Sequence, residues 1–152
     1  MTRILFVCMG NICRSPIVES VARVEFARAG IAAQVESAGT ENYHAGERAD
    51  PRAIAIAQAH GYPLCAHRAR QLKGADFLAF EHVLAMDRVN LRAMQLLRPR
   101  QGGVEPVLFL GDAEVADPYC GAEADFERVV ALALEGVNGL IERLREPRAA
   151  KA

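Results

Sequence analysis

The sequence predicts an α/β fold built on a four-stranded parallel sheet with helices on both faces. Three observations lead there. Short apolar, strand-like runs alternate with helix-patterned segments along the chain. The first run leads into a loop that opens directly into a helix. The last segment, Ala124 to Leu144, carries apolar residues at helical spacing: Phe126, Val129, Val130, Ala133, Val137, Leu140, Ile141 and Leu144.

The elements follow in order. Arg3 to Cys8 reads as a buried strand. A helix is expected over Pro16 to Ala29, because proline suits a first turn, Ser15 can cap it and Gly30 ends it. Ala32 to Ser37 reads as the second strand, and Gly39 to Ala49 as a loop. Asp50 and Pro51 open a helix to about His60, closed by Gly61 and Pro63. Ala75 to Phe80 is a short helix, His82 to Ala85 the third strand, and Asp87 to Leu97 a helix that stops before Pro99. Val107 to Leu110 is the fourth strand, and Asp112 to Gly121 a loop before the last helix. In such sheets the site lies at the carboxyl ends of the strands, so the loops after Cys8, Ser37, Met86 and Leu110 should converge.

Length and composition narrow the function. A chain of 152 residues is expected to form one domain, with residues 146–152 as a charged, frayed tail. Its formal charge of −1, with both signs spread along the chain, gives no reason to expect nucleic-acid or membrane-surface binding. No apolar run approaches the ~20 residues of a membrane span, and the N-terminus lacks a signal peptide's organisation. The four cysteines (Cys8, Cys13, Cys65 and Cys120) are too few for a disulfide scaffold and do not form two CxxC pairs. A reduced, cytoplasmic protein without a structural metal is the expectation.

The chemistry is concentrated in Cys8-Met9-Gly10-Asn11-Ile12-Cys13-Arg14-Ser15-Pro16. Backbone amides at a strand-to-helix junction form an anion cradle. A cysteine at its rim would be held as a thiolate by those amides, the helix terminus and Arg14. Thiolate, cradle and a guanidinium fork together are suited to moving a phosphoryl group through a cysteinyl-phosphate.

The chain resembles the low-molecular-weight protein tyrosine phosphatases over nearly its whole length. The resemblance rests on that nine-residue loop; on Ser37-Ala38-Gly39 leading to Tyr43, Gly46 and Asp50-Pro51-Arg52-Ala53; on His67-Arg68-Ala69-Arg70-Gln71; and on Asp117-Pro118-Tyr119. The implied fold is flavodoxin-like, with strand order 2-1-3-4 and the phosphate loop after the first strand. The implied activity is hydrolysis of phosphotyrosine in proteins.

The resemblance assigns roles residue by residue. Cys8 would be the nucleophile and Arg14 the phosphate clamp, a task lysine's point charge could not match. Asp117 would be the general acid and then the base, on a loop stiffened by Pro118. Met9, Gly10, Asn11, Ile12, Cys13 and Ser15 would contact substrate from the loop, with Ile12 lining the slot floor. Ser15 would donate to the Cys8 sulfur or cap the helix, and the two roles are compatible. Asn11 is expected in a left-handed conformation, braced by Ser37 and His67. Tyr43 and Tyr119 would wall a deep slot for an aryl phosphate. Cys13 would either form a reversible disulfide with Cys8 or simply pack in the loop. Asp50, in the other Asp-Pro pair, reads as a helix cap. Cys120 stands where many relatives have a second tyrosine, and Cys65 has no evident role.

The implied partners are phosphotyrosine-containing proteins, a tyrosine kinase among them, with inorganic phosphate as an inhibiting product and the chain as a monomer. No cofactor is needed, since Arg14 and the amides neutralise the phosphate. Three alternatives share the scaffold. Ile12 argues against a phosphoarginine phosphatase, whose members tend to carry threonine there. Met86 to Leu97 contains no cysteine, which argues against a thioredoxin-coupled arsenate reductase. An inactive phosphotyrosine-binding module would usually lack one of Cys8, Arg14 and Asp117.

Overall fold

Ile4, Leu5, Phe6 and Val7 are completely buried, and the strand that carries them is central to the sheet. The computed structural model describes residues 1–146. Strand β1 (Thr2–Cys8) pairs in parallel with β2 (Ala33–Gly39) on one side and β3 (His82–Ala85) on the other. β3 in turn pairs with β4 (Val107–Leu108), giving the order β2-β1-β3-β4 expected from the sequence.

Period-two alternation divides the apolar residues of β1 between two cores. Ile4, Phe6 and Cys8 join the larger core, with helices α1 (Arg14–Arg28), α2 (Pro51–Ala59) and α5 (Glu123–Arg145). Leu5 and Val7 join the smaller one, with Phe77 of α3 (Asp76–Ala79) and Met94 of α4 (Arg88–Leu97). Seven of the eight apolar positions predicted on the last helix are buried, from Phe126 to Ile141, and Leu144 packs partly against the same core. Gly136 lets α5 close on the sheet: a Cβ there would collide with the Phe109 ring. That ring meets Phe6 edge-on at 5.6 Å.

Local boundaries differ from expectation for physical reasons. Helix α1 starts at Arg14, so its N-cap is Cys13, without a side-chain cap, and Ser15 lies inside the first turn. The capping reading of Ser15 is therefore corrected. β2 runs on to Gly39, held by bonds from its amide to the Arg70 carbonyl and from the Leu72 amide to its own carbonyl. β4 stops at Leu108 because the chain turns at Gly111, whose φ is 86° and whose amide bonds back to Leu108. Asp50 caps α2 as predicted, accepting from the Arg52 amide at 2.8 Å. The expected frayed tail falls almost wholly outside the described residues. Among the described residues, no helix is long and apolar enough to cross a membrane.

Candidate active site

Cys8 ends β1 in register with Gly39 of β2. Gly39 has to be a glycine, since a Cβ would stand 2.6 Å from the Met9 carbonyl oxygen. The close approach allows the loop from Met9 to Cys13 to fold back over the sheet edge. Asn11 takes the predicted left-handed conformation, with φ 57°. It is completely buried.

The Asn11 side chain organises the loop. Its Nδ2 donates to Ser15 Oγ at 2.8 Å and to Ser37 Oγ at 2.9 Å, and its Oδ1 accepts from the Arg70 amide at 3.0 Å. His67 Nε2 donates to the Asn11 carbonyl at 2.8 Å, which places a proton on that nitrogen. The Ser37 hydroxyl in turn donates to Glu19 Oε1 at 2.6 Å. Ser15, which accepts from Asn11, has its hydroxyl 3.0 Å from Cys8 Sγ. The Asn11 amide donates to the same sulfur at 3.3 Å. Two donors thus face Sγ, an arrangement that suits an anionic sulfur. Among the described residues, the amides of Gly10, Ile12 and Cys13 have no protein acceptor, as an anion cradle requires.

Arg14 is buried, and its guanidinium is fixed from two sides. Nη1 donates to Asp87 Oδ2 at 2.6 Å and to the Val115 carbonyl at 2.9 Å. Asp87 itself caps α4, accepting from the Asn90 amide through its other oxygen. Nη2 lies 3.9 Å from Asp117 Oδ2. Burial pulls the Arg14 pKa down, but Cys8, Asp87 and Asp117 outweigh it and the net shift is upward. The guanidinium stays charged.

One slot gathers the expected residues. Cys8, Met9, Gly10, Asn11, Ile12, Cys13 and Arg14 line it from the loop, and Tyr43, Asp117 and Tyr119 from its rim. Tyr43 and Tyr119 are exposed. The Asp117 side chain is part-exposed, and its Oδ1 accepts from the Tyr119 amide at 3.1 Å, which fixes the loop. Cys13 is buried, and that burial pushes its thiol pKa far up. Cys65 and Cys120 are exposed. Ser15, Ser37 and His67 stand behind the loop.

Sequence reasoning missed four groups. Asp87 and the Val115 carbonyl hold Arg14 across separations of 73 and 101 residues, beyond any local pattern. Glu19 anchors Ser37, and the legible sign was its place one helical turn after Ser15. His44 lines the slot next to Tyr43, with its ring 6.5 Å from that of Tyr119 and its Nδ1 3.2 Å from Glu47.

The family model described as low molecular weight phosphotyrosine protein phosphatase matches residues 3–150. The chain belongs to that family. It is 41% identical over 155 residues to a low molecular weight protein-tyrosine-phosphatase of Streptomyces coelicolor, covering 95% of this chain and 94% of the relative. It is 39% identical over 145 residues to low molecular weight protein-tyrosine phosphatase A of Mycobacterium tuberculosis, covering 90% and 88%. Among solved structures, a protein tyrosine phosphatase of Entamoeba histolytica with Hepes in its active site superposes with TM-score 0.89 at 32% identity, covering 95% and 97%. Wzb of Vibrio vulnificus in complex with benzylphosphonate superposes with TM-score 0.84 at 26% identity, covering 93% and 98%. Family membership places the chain among the phosphotyrosine protein phosphatases, which are hydrolases.

Proposed function

We propose that this chain hydrolyses phosphotyrosine in phosphoproteins in two covalent steps at the slot. The observation that carries the reading is the meeting of Cys8, Arg14 and Asp117 in one cleft rimmed by two tyrosines. In the first step Cys8 Sγ attacks phosphorus, forming an S–P bond as the P–O bond to the tyrosyl oxygen breaks. Asp117 gives its proton to the departing oxygen. In the second step Asp117 takes a proton from water, whose oxygen bonds to phosphorus as the S–P bond breaks. Inorganic phosphate leaves, the electron pair of the S–P bond returns to Cys8 Sγ, and the Ser15 hydroxyl stabilises that thiolate by donating to it.

Arg14 holds two phosphoryl oxygens with its planar fork, and Asp87 fixes that fork in place. The free amides of the loop share the charge of the transition state. Tyr43 and Tyr119 flank the phenyl ring of the substrate, and Ile12 supports it from the slot floor. Benzylphosphonate in the Vibrio relative is an aromatic ring one carbon from a phosphonate, a shape that suits such a slot. Cys13 stays a neutral thiol in resting enzyme and forms a disulfide with Cys8 under oxidation. The reading takes the chain as a cytoplasmic monomer, with phosphotyrosine proteins (a tyrosine kinase among them) as partners and phosphate as inhibitor.

Aryl-phosphate hydrolysis in EDTA, native chain against Cys8→Ser, tests this. Turnover that falls by at least about 10⁴-fold in the variant is expected. No turnover by the freshly reduced native chain would overturn it.

A further inference from the structure

Beside the slot runs a second concavity, between α2 and α5. It is lined by Ala55, Ile56 and Ala59 of the first helix and by Phe126 and Glu123 of the second, with Arg52 at one side. We propose that this groove receives an apolar side chain of the phosphoprotein substrate, about three residues from the phosphotyrosine. The proposal rests on the phosphatase reading above and adds a determinant of which phosphotyrosines are preferred.

Continuity with the slot is the main argument. Arg52, a wall of the groove, stands between it and the slot. Its guanidinium stands 5.5 Å from the centre of the Tyr119 ring, which lines the slot, and 4.7 Å from the centre of the Phe126 ring, which lines the groove. Those two distances cap the ring separation at about 10 Å, the reach of about three residues of extended chain. The wall is held in place: Arg52 Nη2 and Nε donate to the two oxygens of Asp50 at 2.9 and 3.1 Å. A polypeptide whose phosphotyrosine enters between Tyr43 and Tyr119 therefore passes a fixed guanidinium and meets the groove.

The lining selects the occupant. Four of its six residues present only carbon: Ala55, Ile56, Ala59 and Phe126. The two charged ones, Arg52 and Glu123, have opposite signs, so the groove offers no net charge to an acidic or basic side chain. Ala55 and Ala59 are exposed and lie one helical turn apart, so no side chain of α2 fills the space over Phe126. An aliphatic residue such as leucine gains apolar burial there without leaving a polar group unpaired.

Phosphopeptides carrying one leucine, stepped from four residues before to four residues after the phosphotyrosine in an alanine background, test the proposal. Native chain, Ala55→Glu and Ala59→Glu are compared by kcat/KM. An aryl phosphate, too small to reach the groove, is the reference in every case. One leucine register should exceed the alanine peptide by about five- to tenfold. Both glutamate variants should abolish that advantage and leave aryl-phosphate turnover unchanged. A flat peptide series, or an advantage that survives in both variants, overturns the groove while leaving the phosphatase reading intact. Failure to hydrolyse the aryl phosphate would instead sink that reading. Self-association in sedimentation that Ala59→Glu abolishes, together with a flat peptide series, would assign the groove to a second copy of the chain and overturn the proposal.

Discussion

Asn11, at the floor of the slot, is fully buried, and its side chain makes three hydrogen bonds. Tyr43, at the rim, is 67% exposed, and among the described residues its hydroxyl has no partner. The contrast extends to their neighbours. Cys8, Arg14 and Ser15 are buried and bonded to groups from β1, α1, α4 and the segment after β4. His44 and Tyr119 stand in loops and meet each other through a tilted ring contact. The floor is preorganised, so its residues set the rate of the chemical steps. The rim makes few internal contacts, so its residues set which substrates dock. Substitutions in the floor should lower kcat, and those in the rim should raise KM.

Arg14→Lys should break the floor most severely among conservative changes. A lysine offers one point charge in place of a braced fork, and kcat should fall by about 10²- to 10³-fold. Steady-state kinetics with an aryl phosphate check this, and a change confined to KM would move Arg14 to the rim class.

Asp87→Asn is the sharper test. Asparagine still caps α4, so the helix remains. The charged brace on buried Arg14 is lost, so kcat should fall by about tenfold, a larger loss than the accompanying drop in the unfolding midpoint accounts for while the enzyme remains fully folded at the assay temperature. An equal loss of stability and rate would make Asp87 a structural residue only.

Tyr43→Ala addresses the rim. Loss of one aromatic wall is worth about 0.5–1.5 kcal/mol, so KM for a phosphopeptide should rise by roughly two- to tenfold at constant kcat.

The smallest effect expected is on stability. Asp50→Ala removes the α2 cap and should cost about 1 kcal/mol in urea unfolding at neutral pH. Hydrogen bonding from Arg52 holds the Asp50 carboxyl below its ordinary pKa, although partial burial opposes it. Its contribution is therefore complete above the unfolded carboxylate value of about 4, and is lost as pH falls through the depressed one. The difference between native and variant should shrink in that acid window.

How much the sequence revealed follows the same division. The loop from Cys8 to Pro16 was legible because its chemistry is contiguous, and the helices because their apolar spacing is local. Strand order followed from the family resemblance. Asp87 was not legible, because a helix-capping aspartate looks the same whether or not an arginine from a distant loop docks on its second oxygen. Ser15 was legible in part: its contact with the Cys8 sulfur was expected and is present, whereas the helix starts one residue before it, so it does not cap. The short β4 reflects Gly111, whose turn ends a run that apolar pattern alone would continue through Leu110.

The central claim is that the floor acts through a bond between Cys8 and phosphorus. Asp117→Ala removes the base for the second step, while a nitrophenyl leaving group needs little acid help in the first, so the intermediate should accumulate. Quenching that variant in denaturant during turnover and mapping its peptides by mass tests the claim directly. The account predicts one phosphoryl group on the peptide containing Cys8 and none in the Cys8→Ser background. Turnover without a phosphorylated Cys8 peptide, or phosphate on another residue, would contradict it.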